Sequence, residues 1–225
     1  MRRLDAAKTE FIANAAHELR TPLVVIAGIP DALIHHHQKM SAEELEQALA
    51  TMKRQAERMR DLTNNLLDIS RMDLGKISVE VSPVDLGPLV EHVLTVAPSP
   101  DARKVEADIS DGLKVMADSE LLDQALTNLI TNAYKYGAGT TRVAAKPDSE
   151  GVLITVSDEG PGVPEEFVPH LFEPFARGPT TSSIAGSGLG LAITRRIVRS
   201  LGGEVWYEPK SPAGASFNIR MTAPM

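Results

Sequence analysis

Phe11-Ile12-Ala13-Asn14-Ala15-Ala16-His17-Glu18-Leu19-Arg20-Thr21-Pro22-Leu23 is the stretch on which the reading of the chain turns. Ile12, Leu19, Ile26 and Leu33 recur every seven residues, with Ala16 and Leu23 beside them. A second series, Leu45, Met52, Met59 and Leu66, keeps the same interval, supported by Leu49, Ala56 and Leu62. Sustained seven-residue spacing places an apolar seam along one side of a helix. Between the two series lies His35-His36-His37-Gln38-Lys39-Met40-Ser41, a solvated loop by composition, and Ser41 followed by Glu44 forms a capping box that opens the second helix. The pattern predicts an antiparallel helical hairpin whose second arm covers residues 41–73.

That arm would be on the order of 50 Å long at 1.5 Å per residue. Two such helices alone enclose no centre, and each seam side chain would contribute about 1.5–3 kcal/mol if buried. A second copy would complete a four-helix bundle, whereas packing against the rest of the chain would meet the same demand. Pro22 and Pro30 fall inside the first helix, where each removes a hydrogen bond; they predict either a bend or an interruption. His17 falls on the outward side of the seam, with Glu18 adjoining it and Thr21 one turn on. That is the presentation a nucleophile needs, and it is also how any solvated helical histidine looks.

After Gly75 the periodicity changes. A short helix is expected near 85–96. Strands are expected at Val105–Ile109, Leu113–Ala117, Thr141–Ala145, Val152–Ser157, Gly203–Glu208 and Ala215–Met221, and helices near Ser119–Tyr136 and Leu189–Leu201. Strands and helices in this order predict an α/β sandwich, so the chain as a whole is α+β, with Leu74–Val84 as a hinge.

Three polar clusters fall in this second half. Asn128, Asn132 and Lys135 are spaced four and three apart and share one helix face, followed by Tyr136. Two amides and an ammonium suit hydrated Mg²⁺ and phosphate oxygens. An ordinary polar face would look similar, although asparagine is a poor choice for a helix interior. Asp158-Glu159-Gly160-Pro161-Gly162 follows a strand directly; it is either a turn or a strand-end carboxylate beside closely approaching backbone. Gly186-Ser187-Gly188-Leu189-Gly190 leads into the last helix, where amide N–H groups can meet phosphate. No strand immediately precedes it and its spacing is not that of a dinucleotide fingerprint. Arg177 to Ser187, rich in Gly, Ser and Thr, reads as a mobile lid, with Phe172 and Phe175 at its front as packing anchors.

Composition narrows the classes. The chain has 225 residues, 43% apolar and 24% charged, which suffices for a core. No cysteine is present, so disulfides, iron–sulfur clusters and thiolate zinc sites are excluded. A net charge of −7 offers no argument for nucleic-acid binding. The longest apolar stretch, Leu23 to Ile34, is too short and broken to span a bilayer, and the start lacks a signal peptide; a cytoplasmic chain is expected.

Taken together and in order, these segments resemble the catalytic core of a sensor histidine kinase over nearly the whole chain. His17 to Pro22 resembles the family's H box, Asn128 to Tyr136 its N box and Asp158 to Gly162 its first glycine box. Phe172 to Phe175 resembles the F box and Gly186 to Gly190 the second glycine box. The resemblance implies a dimerisation and phosphoacceptor hairpin at 1–74, a hinge at 75–84 and an ATP-binding domain of the GHKL type at 85–225. It implies a homodimer with a four-helix bundle, ATP and Mg²⁺ as cofactors, a response regulator receiver domain as partner, and a parent protein of which attachment to the inner face of the membrane is typical.

The implied roles are as follows. His17 attacks the γ-phosphate, and Glu18 is its base or hydrogen-bond partner. Thr21 positions water if the protein also dephosphorylates its partner. Asn132 ligates Mg²⁺, Asn128 and Lys135 lie near the phosphates, and Tyr136 lies beside the nucleotide. Asp158, with Gly160 and Gly162, receives adenine. Arg177 neutralises γ-phosphate charge, and Gly186, Gly188, Leu189 and Gly190 close over the phosphate chain. Related GHKL hydrolases place a Glu four residues before the metal-binding Asn; here that position is Asn128, which cannot act as a general base.

Overall fold

The computed structural model describes residues 2–36, 40–73, 78–97, 104–178, 186–210 and 213–224. The chain divides into two compact units, Met1–Leu74 and Gly75–Met225.

The first unit is a helical hairpin. Helix α1 runs Arg2–His36 and α2 runs Ala42–Asp73. The capping box forms with both of its bonds: the Glu44 amide donates to Ser41 Oγ at 3.2 Å and the Ser41 amide to Glu44 Oε2 at 2.8 Å. Of the two outcomes open for Pro22 and Pro30, interruption does not occur; α1 is continuous through both. Each proline removes only the amide that would bond the carbonyl four residues back, and the turns on either side keep theirs. The three-histidine run is corrected too: His35 and His36 belong to the last turn of α1, while His37 lies outside the described residues. The seam is only half closed within one chain. Of its residues Leu62 is buried, but Ile12, Leu23, Leu45 and Leu49 remain exposed, as do Val24, Ile34 and Leu67 outside the seam.

The second unit contains β1 (Ser82–Asp85), α3 (Leu86–Val96), β2 (Val105–Ile109), β3 (Lys114–Ala117) and α4 (Ser119–Tyr136). After these come β4 (Thr141–Asp148), β5 (Gly151–Ser157), a 3-10 turn at Glu165–His170, α5 (Gly190–Ser200), β6 (Glu204–Pro209) and β7 (Ala215–Met221). The main sheet has the order β2-β4-β5-β7-β6, parallel only between β2 and β4. A separate antiparallel pair joins β1 to β3, so residues 82–84 of the expected hinge are strand. At the sheet edge Glu106 lies in register with Arg142; hydrogen bonds from the Lys104 ammonium and the Arg142 guanidinium hold its carboxyl down at about 2.

Helical period selects the buried face of α4: Leu122, Leu126, Leu129, Ile130 and Ala133 all point inward. They meet the α5 residues Ile193 and Ile197 and the alternating inner positions Val152, Ile154 and Val156 of β5 in one fully buried core. Among the described residues no helix is long and apolar enough to cross a membrane.

Asp118 starts α4. Its Oδ1 accepts from the Glu120 and Leu121 amides at 3.1 and 3.2 Å, and its Oδ2 from the Glu80 amide at 3.0 Å. Losing an N-cap carboxylate costs about 1 kcal/mol, within a range of ~0.5–2. Asp118→Ala is therefore expected to lower the free energy of unfolding by about that much in a urea titration; no measurable change would mean the cap is solvated at no cost.

Candidate functional site

The polar face of α4 is built as the spacing predicts. Asn128 and Asn132 are half-buried and Lys135, one turn on, is exposed. Asn128 Nδ2 donates to the Gly190 carbonyl at 3.4 Å, which brings the middle of α4 to the first turn of α5. Leu189, at the N-cap of α5, is fully buried and carries no acceptor side chain. The opening amides of that helix therefore rely on an acceptor from elsewhere. Ser187 Oγ accepts from the Leu189 amide at 3.3 Å and steadies the turn leading in.

At the far end of α4 the chain leaves the helix at Gly137 and passes the end of β5. Asp158, the first residue after that strand, is 5% exposed. Its Oδ1 accepts from the Gly160 amide at 2.7 Å. A Cβ on Gly137 would stand 2.6 Å from Asp158 Cγ, and one on Gly160 would stand 2.7 Å from Gly137 Cα. Only glycine at both positions lets the two backbones close on the carboxylate and hold its direction. Gly162 continues the turn, and the next amide, of Val163, donates to the Tyr207 hydroxyl at 3.2 Å.

Tyr136 connects this corner to the lid. Burial pushes its hydroxyl above the ordinary tyrosine range, and the charge of the Arg177 guanidinium partly offsets that shift. A Cβ on Gly186 would come within 2.8 Å of the same hydroxyl. Gly186, towards the far end of the lid, thus meets Tyr136. The segments flanking the lid meet where Gly188, at φ +68°, lies against the backbone of Phe175, leaving 2.7 Å between a Cβ and the Phe175 carbonyl carbon. Residues 179–185 of the expected lid lie outside the described residues. In front of the lid the Phe172 ring meets Phe217 edge-on at 6.4 Å, under the Arg195 guanidinium at 5.6 Å.

On the hairpin, His17 is exposed, and Thr21 Oγ1 donates to its carbonyl at 3.4 Å. Glu18 does not stand alone. Its Oε2 receives a hydrogen bond from Arg58 Nη2 at 2.9 Å, joining α1 to α2. Sequence reasoning passed over Arg58, which stands in a charged run, Lys53-Arg54-Gln55-Ala56-Glu57-Arg58-Met59-Arg60-Asp61, with nothing to single it out. It also passed over Gly137, although a glycine just past the last periodic residue is a helix-stop signal. A cavity of about 720 Å³ opens at the other end of α4, lined by Asp85, His92, Glu120 and Asp123 among others, and contains none of the predicted site residues.

The second unit is thus a helix–sheet sandwich with a glycine-framed carboxylate, an amide-bearing helix face and a glycine turn into a helix N-terminus. The family model described as "Histidine kinase-, DNA gyrase B-, and HSP90-like ATPase" matches residues 117–225. The model described as "His Kinase A (phospho-acceptor) domain" matches residues 7–75. The chain belongs to the sensor histidine kinases. It is 34% identical to hybrid signal transduction histidine kinase D of Dictyostelium discoideum over 98% of its own length and 15% of that protein's. The chain therefore spans a small part of this curated relative. Acinetobacter baumannii histidine kinase AdeS is similar in structure, with a TM-score of 0.75 at 26% identity, covering 93% of this chain and 98% of that one. Histidine kinase ThkA, solved in complex with response regulator protein TrrA, shares the fold at a TM-score of 0.76 and 21% identity, over 99% of this chain and 64% of that one.

For this kinase core the ATPase match supports a nucleotide as the ligand of the second unit. The donor set also fits a metal that arrives with phosphate. Among the described residues no group of three or more His, Cys, Asp or Glu side chains could hold an ion by itself. Mg²⁺ characteristically keeps water and substrate phosphates and takes only one or two protein oxygens, and the Asn132 amide oxygen can be one of these.

Proposed function

We propose that the chain transfers the γ-phosphoryl group of ATP to His17 and from there to an aspartate on a response regulator receiver domain. The observation that carries this reading is the buried, glycine-framed Asp158 carboxylate at the end of α4, the helix that bears Asn128 and Asn132, in a chain that also presents an exposed histidine on a long helix. Asp158 accepts from the amino group of adenine. Asn132 supplies oxygen to Mg²⁺, which offsets phosphate charge when bound. Asn128, Lys135, Arg177 and the Gly186–Gly190 backbone hold the phosphate chain, and Tyr136 lies beside the nucleotide.

In the step itself a His17 ring nitrogen forms an N–P bond while the bond from phosphorus to the leaving ADP oxygen breaks. Glu18 accepts from the other ring N–H and takes its proton. Phosphoryl transfer asks mainly for position and neutralised charge, which this residue set supplies. Asn128 favours transfer over hydrolysis, because an amide cannot deprotonate water. The apolar side chains left exposed on the hairpin support a homodimer in which two hairpins form a four-helix bundle. Thr21 positions water for dephosphorylation of the partner.

With Mg²⁺ and γ-labelled ATP, the protein is expected to acquire acid-labile label, α-labelled ATP should leave none, and an added receiver domain should discharge it. Release of free phosphate with no labelled protein would instead identify a hydrolase. Binding of ATP with neither product would identify a scaffold.

A further inference from the structure

We propose that Arg58 is a positioning residue for phosphoryl transfer, acting by holding the Glu18 carboxylate in place beside His17. The proposal rests on the function set out above. Consecutive helical residues point about 100° apart, so Glu18 does not face the His17 ring by default. Its carboxylate reaches the imidazole only from a restricted set of rotamers. Arg58, 40 residues away in sequence and on the opposite helix, bonds Oε2 at 2.9 Å. Both side chains are mostly buried, at 28% and 20% exposed. Two other ion pairs of the hairpin, Lys53–Glu57 at 3.9 Å and Arg60–Asp61 at 3.7 Å, are longer, more exposed and confined to α2.

A carboxylate accepts at two oxygens. A grip on Oε2 fixes the group's direction and leaves the lone pairs of Oε1 to serve the ring N–H. The guanidinium also ties that direction to the packing of α1 on α2, so a shift between the helices would move the acceptor that orients the nucleophile. The role assigned to Arg58 is geometric.

The test is a double-mutant cycle on the full chain with Arg58→Ala, Glu18→Gln and the pair, read as the initial rate of acid-labile labelling and the KM for ATP. Both single variants should be slower at saturating Mg-ATP, Arg58→Ala on the order of tenfold, with KM unchanged. The double variant should be no slower than Glu18→Gln, and Arg58→Lys should recover most of the rate. An unchanged or faster Arg58→Ala, an unaffected Glu18→Gln, or losses that multiply would each overturn the proposal. If circular dichroism shows that Arg58→Ala loses helix, Arg58→Lys and Arg58→Gln replace it. Lys must then exceed Gln, and equal rates overturn the proposal. Failure of the underlying function would appear separately, as wild-type protein that takes no label.

Discussion

Asp158→Asn is expected to weaken ATP binding about 100-fold while leaving the fold intact. The reason is a count of acceptors. Asp158 Oδ1 already receives the Gly160 amide at 2.7 Å, so an adenine amino group is a second donor at the same carboxylate. Asparagine has one oxygen and one NH₂. Whichever way its amide is turned, one of the two donors meets another donor. A hydrogen bond to a charged group contributes about 1.5–3 kcal/mol, and 2.7 kcal/mol is about 100-fold in affinity. Calorimetry with a non-hydrolysable ATP analogue should show this loss with the thermal midpoint moved by only a few degrees. Unchanged affinity would remove Asp158 from the nucleotide site and, with it, the reading of the glycine-framed corner.

The parts of this protein that are legible in the sequence are those set by local periodicity and local chemistry. Ser41 and Glu44 announce a capping box, and both of its bonds form. Leu122, Leu126, Leu129 and Ile130 define the inner face of α4, and that face is buried. What escapes the sequence is created by tertiary approach. Gly137 matters because the end of α4 passes the end of β5 within a Cβ's width, and no residue near 137 records this. Arg58 matters because α2 folds back on α1 and lays one arginine of a charged run against Glu18.

Proline is tolerated in both kinds of element. The strand expected at Thr141–Ala145 runs on through a proline: β4 continues to Asp148, with Pro147 opposite Val152 close to the hairpin turn. One missing donor at the end of a ladder is tolerated where the same gap in mid-sheet would not be. Pro22 and Pro30 teach the same lesson in a helix long enough to absorb them.

His17→Gln is expected to abolish labelling altogether. Glutamine keeps a polar side chain on an exposed helical position, so packing changes little, but an amide nitrogen has no lone pair free to attack phosphorus. Nucleotide affinity should be unaffected, because the adenine and phosphate groups are assigned to residues of the second unit. Loss of labelling with retained binding separates the acceptor from the site that holds ATP.

The most direct measurement locates the phosphoryl group. Protein incubated with Mg-ATP and kept at neutral or alkaline pH should yield, by mass spectrometry, one phosphorylated peptide carrying the modification on the His17 imidazole, lost on mild acid treatment and missing from His17→Gln. Phosphate on any other residue, or acid-labile label that persists in His17→Gln, would contradict the account.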